Sequence, residues 1–359
     1  MRNITTTRSL CPECLKVLDA EIFEDGGRVF IRKRCPEHGE FSELYYGSFE
    51  MYRRAMGWAK DGKGVANPTT PFTECPRDCG LCNEHKSHTA LANIVVTNRC
   101  DLACFYCFFY AKAMGYVYEP SLAQIRQMFR NLRAVKPIPA KALQLTGGEP
   151  CLRKDIVEIV RMAKEEGFHH VQLNTNGIRF SNDPEFAKLV RSAGVNHLYL
   201  SFDGVTPKTN PKNHWEIPKV IKNCRDVGMG IVLVPTVIKG INDHEVGAIL
   251  KFAARNNDVV RGVNYQPVSL VGRISGAERE KMRITIPDVI KKIEEQTDGV
   301  VAESDWYPIP TVSAMSNFAE VVAERPKYDL TAHPVCGMAT YVFRDGERLV
   351  PITRFVDVE

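Results

Sequence analysis

The sequence predicts an α/β fold: six strand–helix units form a parallel sheet with helices outside, either doubly wound or curled into a partial (βα)6 barrel, behind a small amino-terminal metal-binding domain. Three observations predict it. From residue 91 onward, short β-type apolar segments alternate with amphipathic helical patterns, the signature of a parallel sheet joined by crossover helices. Nine of the 12 cysteines fall in three tight groups before residue 108, at spacings that suit metal ligation. Between residues 51 and 90 a polar, Pro- and Gly-bearing stretch, including "WAKDGKGVANPTTPFTECP", separates the two patterns.

The amino-terminal domain, residues 1–50, carries "CPEC" at 11–14 and "CPEHG" at 35–39, with an alternating "GRVFIRKR" between them that reads as a short strand. Cys11, Cys14, Cys35 and His38 give two knuckles, C-x2-C and C-x2-H, which can bring four ligands to one tetrahedral centre as in a rubredoxin or zinc ribbon. Iron and zinc both suit these donors, and His38 has the alternative of capping its turn. Residues 51–90 form the linker and a second cysteine group, Cys75, Cys79 and Cys82. That group fits an auxiliary [4Fe–4S] cluster with Cys336 as a distant fourth ligand; the alternative is zinc completed by His85 or His88.

In residues 91–300 the strands read as 92–97, 142–146, 170–174, 197–202, 230–238 and 262–268. The helical pattern at 155–167 sets Ile156, Ile159, Val160 and Ala163 on one face, and those at 184–194, 217–228 and 243–256 repeat it. After about residue 300 the pattern weakens. In such folds ligands bind at the carboxyl ends of the strands. Cys100, Cys104 and Cys107, in "CDLACFYC", directly follow the first strand and therefore sit at that end. Three thiolates spaced C-x3-C-x2-C can hold three irons of a [4Fe–4S] cube and leave the fourth open to a ligand. Cys224 reads as a buried helix thiol, and Cys151 as packing beside the pocket.

Composition narrows the function. A formal charge of +4, with no basic run, gives no nucleic-acid footprint. There is no run of about 18 apolar residues and no signal-peptide h-region, so a cytoplasmic protein is expected.

"CDLACFYC", then "LTGGEP", "NTNG" and "SFDG" at successive strand ends, resembles the radical SAM superfamily over roughly residues 91–270. The resemblance implies an open [4Fe–4S] cluster on Cys100, Cys104 and Cys107 that binds S-adenosylmethionine (SAM), reductively cleaved to a 5′-deoxyadenosyl radical that abstracts hydrogen from an unactivated carbon. It further implies cofactor contacts from Tyr106, Gly147, Gly148, Glu149, Asn174, Asn176 and Ser201, with Val234 and Gln266 near adenine or substrate. Gly147 and Gly148 are expected to admit the ligand close to the backbone, and Glu149 to receive the SAM amino group. An electron donor such as ferredoxin or flavodoxin is the implied partner.

The accessory motifs "SLCPEC…CPEHGEF", "CPRDCGLCNEHKSHT" and "GYVYEPS" extend the resemblance to an archaeal-type group, the tetraether lipid synthases and relatives described as pterin methylases. The lipid branch implies carbon–carbon coupling of isoprenoid chain ends, with "FFYAKAMGYVY" (108–118) as candidate lining of an apolar tunnel and peripheral contact with the membrane. The other branch implies radical methylation of a 7,8-dihydropterin. A non-catalytic iron–sulfur carrier is the alternative of another class, and would make no 5′-deoxyadenosine. Members of the group run well past residue 359, so a C-terminal segment absent from residues 301–359 is expected.

Overall fold

The structure, a computed structural model, describes residues 1–69, 81–268 and 276–359. The chain divides into two compact units, residues 1–59 with 284–309 and 333–359, and residues 60–283 with 310–332.

In the first unit, β1 (Arg2–Leu10), β2 (Val17–Asp25), β3 (Arg28–Cys35) and β4 (Gly39–Tyr46) form an antiparallel meander in that order. Sequence reading found only the β3 strand. The outer strand β1, "RNITTTRSL", is mostly exposed, so it lacks the apolar–polar alternation that would announce it, and Thr and Ile supply only β-propensity. Helix α1 (Phe49–Met56) starts at the Ser48 cap, whose Oγ accepts from the Met51 N–H at 3.2 Å. Its Met51, Tyr52 and Ala55 pack with Ile22, Val29 and Tyr46 of the meander and Ile290 of the Ile286–Gln296 helix.

The second unit is the partial barrel. Strands β5 (Leu91–Thr97), β6 (Ala142–Gly147), β7 (His170–Thr175), β8 (His197–Ser201), β9 (Gly230–Val234) and β11 (Val260–Val263) form one parallel sheet, ordered β11-β9-β8-β7-β6-β5. The crossovers hold α2 (Leu122–Ala134), α3 (Ile156–Glu165), α4 (Ile178–Asn182), α5 (Pro184–Ala193), α6 (Ile217–Asp226) and α7 (Val246–Arg255). Helix α2, which the sequence patterns above do not include, is fixed by a capping box. The Ser121 Oγ accepts from the Gln124 N–H at 3.3 Å, and Gln124 Oε1 accepts from the Ser121 N–H at 2.8 Å.

The expected strand 230–238 is interrupted at Pro235, which has no N–H to donate; β9 ends at Val234 and β10 (Thr236–Val237) pairs in parallel with β12 (Gln266–Pro267). The core lies between sheet and helices. Leu143, Leu145, Leu173, Leu198, Leu200, Ile231 and Leu233 of the strands meet Ile156, Ile159 and Val160 of α3 there, all fully buried. Adjacent strand residues point to opposite faces, so the neighbours of these leucines form the other, concave face.

Candidate functional site

The loop after β5 carries Cys100, Cys104 and Cys107, all partly exposed. The Cys100 Sγ accepts from the Leu102 N–H at 3.4 Å, and the Cys107 N–H donates to the Cys104 carbonyl at 3.1 Å. Burial pushes the Cys100 thiol up to about 12 and raises Cys104, which the Lys212 ammonium partly opposes. Such thiols ionise readily only when a cation takes the proton's place, which suits metal ligands better than free nucleophiles.

The loop after β6 is sewn to this one. The Gly148 N–H donates to the Thr97 carbonyl at 2.8 Å and the Glu149 N–H to the Arg99 carbonyl at 2.7 Å. A Cβ on Gly147 would lie 2.0 Å from the Thr97 oxygen, and one on Gly148 would lie 2.2 Å from the Arg99 oxygen. The approach of two backbones by itself requires both glycines, whatever ligand lies beside them.

Glu149 likewise turns inward. It is 2% exposed; its Oε1 accepts from the Thr175 hydroxyl at 2.8 Å and the Cys151 N–H at 3.0 Å, and its Oε2 from the Asn176 N–H at 2.8 Å. Burial raises its carboxyl above the usual range. Its carboxylate therefore ties the "GGEP" turn to the "NTNG" loop after β7. Asn176 Nδ2 donates to Asp101 at 2.7 Å, which joins the "NTNG" loop to the cysteine loop as well. Cys151 is buried in the core, its thiol toward Thr175 at 3.4 Å, and Cys224 is a buried helix thiol.

Tyr106 reaches the end of β8. Its hydroxyl donates to the Asp203 carboxylate and accepts from the Lys212 ammonium at 2.8 Å. Lys212 and Asp203 form an ion pair at 2.6 Å with side chains 8% and 7% exposed. Asp203 Oδ1 accepts from the Thr236 N–H at 3.0 Å. Sequence reading did not name Lys212 or Asp203 as site residues; "SFDG" drew attention only to Ser201.

The concave sheet face is polar. In-register neighbours Gln144 and Gln172 are hydrogen-bonded to each other, and above them Asn174 Nδ2 donates to Thr146 Oγ1 at 2.8 Å. On β8, Tyr199 and Ser201 continue this face, flanked by Val232 and Val234 of β9. Of the tunnel lining expected from 108–118, Lys112 and 114–117 instead wall an open pocket of about 390 Å³ beside Cys100, together with the polar Asn98 and Arg99. Among the described residues no helix is long and apolar enough to cross a membrane.

The first unit holds a separate centre. The ligand atoms of Cys11, Cys14, Cys35 and His38 lie within 4.8 Å of one another. His38 Nδ1 stands 3.5 Å from the Cys35 sulfur and 3.7 Å from that of Cys11, so the structure turns the ring toward the thiols. Burial acts to raise the Cys35 thiol, but the N–H groups of Glu37 and His38 and the imidazole outweigh it and hold the thiol at about 6. Two knuckles, on the first and third turns of one meander, offer an S3N donor set that suits a tetrahedral ion.

Of the second cysteine group, Cys75 and Cys79 lie outside the described residues, while Cys82 is buried. His88 Nε2 accepts from the Asp329 N–H at 3.3 Å and its ring packs on Tyr328, so the chain itself already engages this histidine. Cys336 is exposed.

Residues 94–253 match the radical SAM superfamily, and residues 3–47 match the HMPTM N-terminal zinc ribbon domain. The chain is 48% identical over 360 aligned residues to the 7,8-dihydro-6-hydroxymethylpterin dimethyltransferase of Methanocaldococcus jannaschii, an alignment covering 98% of this chain and 71% of that one. It is 30% identical to a GTP 3′,8-cyclase of Clostridium acetobutylicum, over 65% of this chain and 69% of the cyclase. The likeness to a pterin dimethyltransferase along almost the whole chain overturns the expectation of isoprenoid chain coupling. The polar concave face agrees, because an aliphatic chain end offers those amides and hydroxyls no hydrogen-bonding partner.

Proposed function

The chain belongs to the radical SAM superfamily and, within it, to the family of the pterin dimethyltransferase, and from that premise we propose that it methylates a reduced pterin, 7,8-dihydro-6-hydroxymethylpterin or a near relative. The similarity to the dimethyltransferase over 98% of the chain carries the reading. The hydrogen-bonding concave face supports it, since a pterin is a flat heterocycle edged with donors and acceptors and needs partners for them.

Cys100, Cys104 and Cys107 would hold a [4Fe–4S] cluster, three thiolates on one loop, and the next cysteine along the chain, Cys151, is packed in the core. When bound, the cluster and SAM supply a 5′-deoxyadenosyl radical able to take hydrogen from carbon. The residues do the rest. Gly147 and Gly148 keep the loop after β6 against the cysteine loop, and Glu149 fixes the "NTNG" loop beside both. Asn174 and Ser201 offer polar groups on the concave face for ribose or carboxylate, and Asn176 orients the loop through Asp101 rather than through a free amide. Tyr106, pinned by Asp203 and Lys212, holds the last turn of the cysteine loop toward that face. Removing any of these supports would displace the cofactor before it touched the chemistry.

Cys75, Cys79 and Cys82 would hold an auxiliary cluster, the Cys11–His38 cage would hold zinc, and a low-potential ferredoxin or flavodoxin would deliver the electron. Anaerobic incubation of the reconstituted protein with SAM, dithionite and 7,8-dihydro-6-hydroxymethylpterin, read by mass spectrometry, tests the reading. Singly and doubly methylated pterin is the expected product, with 5′-deoxyadenosine formed in the same tubes. Methyl-labelled SAM reports the source of the new carbon. Cys104→Ala should abolish both products. Deoxyadenosine without any methylated pterin would reject the pterin reading.

A further inference from the structure

The open side of the half-barrel, at the β11 edge opposite the cysteine loop's strand β5, carries three polar side chains gathered around one oxygen. Tyr199, on the concave face of β8, is partly buried, and burial raises its phenol, so it stays neutral. Its hydroxyl oxygen accepts from Asn264 Nδ2 and, at 3.0 Å, from Gln266 Nε2. Because that oxygen already receives two N–H groups, the phenolic hydrogen is left to donate outward. The two amide nitrogens point at Tyr199, which leaves the two amide oxygens as acceptors. Among the described residues these oxygens receive no hydrogen bond, and both amide side chains are exposed.

The floor beside this group is open. Gly262 lies in register with Val232 of β9, which itself continues the row of Asn174 and Tyr199. Among the described residues, a Cβ built on Gly262 meets nothing within 4 Å. This glycine is not demanded by a left-handed backbone or by a neighbouring chain, in contrast to Gly147 and Gly148. Two acceptors and one donor thus border a flat gap at the carboxyl end of the sheet, where a sheet of this kind takes its ligands.

We propose that Tyr199, Asn264 and Gln266, over the gap at Gly262, are the specificity-determining edge that reads the aminopyrimidinone ring of the pterin. The inference rests on the pterin reading and deepens it. That ring presents an exocyclic amino group and a ring N–H, two donors matched to the two amide oxygens, beside a carbonyl or ring nitrogen matched to the Tyr199 hydroxyl. A dioxo ring, which replaces the amino group by a carbonyl, would set oxygen against amide oxygen and leave that acceptor unpaired. Edge recognition by fixed amides discriminates through such unpaired groups more than through area.

The test uses the full chain and isothermal titration with two probes, 7,8-dihydro-6-hydroxymethylpterin and its 2-oxo (lumazine) counterpart. The wild-type chain should bind the pterin more tightly than the lumazine. Gln266→Leu and Asn264→Leu should each weaken pterin binding about tenfold, as loss of one hydrogen bond to a ligand does, and shrink the preference over lumazine. Gly262→Leu, which fills the gap, should weaken both ligands alike while leaving the melting temperature near that of the parent. A parent that binds the pterin together with Leu variants of unchanged affinity and preference would overturn this assignment and leave the pterin reading standing. A parent that fails to bind the pterin at all would overturn both.

Discussion

The Lys212 ammonium sits 2.6 Å from the Asp203 carboxylate, with the Tyr106 hydroxyl against both. One cation, one anion and one phenol therefore join the cysteine loop to the end of β8, about a hundred residues away in sequence. Breaking one half of such a buried pair strands the other charge away from water, whereas removing both does not.

Lys212→Met should therefore cost about 3–5 kcal/mol of stability in denaturant unfolding, with Asp203 left uncompensated. The double variant Lys212→Met/Asp203→Asn should recover a large part of that loss. Additive losses in the double variant would mean that the two groups do not act as a pair.

Glu149 offers a test through pH. Its carboxyl is raised by burial, so the folded state holds the proton to higher pH than the unfolded chain does. The folded state then binds more protons between the unfolded value of about 4.3 and the raised one, and stability must fall as pH rises through that window. Glu149→Gln should flatten this limb of the stability–pH curve. It should also cost about 1–3 kcal/mol, because its –NH2 faces one of the three groups that now donate to the carboxylate. A curve identical in parent and variant would show that Glu149 does not titrate there.

Two glycines make opposite predictions for the same added methyl. Gly148→Ala drives a Cβ to within 2.2 Å of the Arg99 carbonyl oxygen and 2.8 Å of that of Asn98, backbone atoms that cannot rotate away. The two loops must part, and iron bound per chain after reconstitution should fall. Gly262→Ala meets nothing among the described residues and should leave both the iron content and the melting temperature nearly unchanged. Equal iron in the two variants would deny that the loops need this approach.

The amino-terminal cage predicts its own metal stoichiometry. Purified protein should carry one zinc per chain by elemental analysis, and Cys35→Ser should lose it. With the Cys35 thiol held near 6 it is largely ionised at neutral pH, so zinc retention should decline as pH falls through about 6, where protons compete for that sulfur. Zinc unchanged in Cys35→Ser would remove this sulfur from the cage.

"CDLACFYC", "GGEP" and "NTNG" were legible because each is a short segment whose spacing or turn chemistry is complete in itself. Five of the six central strands were legible through Leu, Ile and Val between turn signals, whereas the expected strand 262–268 is split between the end of β11 and β12. The Lys212–Asp203–Tyr106 group was not, since only the fold brings residue 212 to residue 106. The polar face could have been read and was missed. In "ALQLT", "HVQLN" and "HLYLS", Leu and Val alternate with Gln, His, Tyr and Asn, whereas strands covered on both faces read as unbroken apolar runs. That alternation separates a hydrogen-bonding substrate from a lipid. The cysteine motifs cannot, because they serve the radical-forming step that both reactions share.

The carboxylate of Glu149 is held in common by the turn that bears it and by Thr175 and Asn176 of the next loop. Neither segment can drift, lengthen or swap its polar residue without stranding a partner in the other. In descendants of this sequence, positions 149, 175 and 176 should then change in concert, and a graft of one segment into a cousin should function only when its companion travels with it.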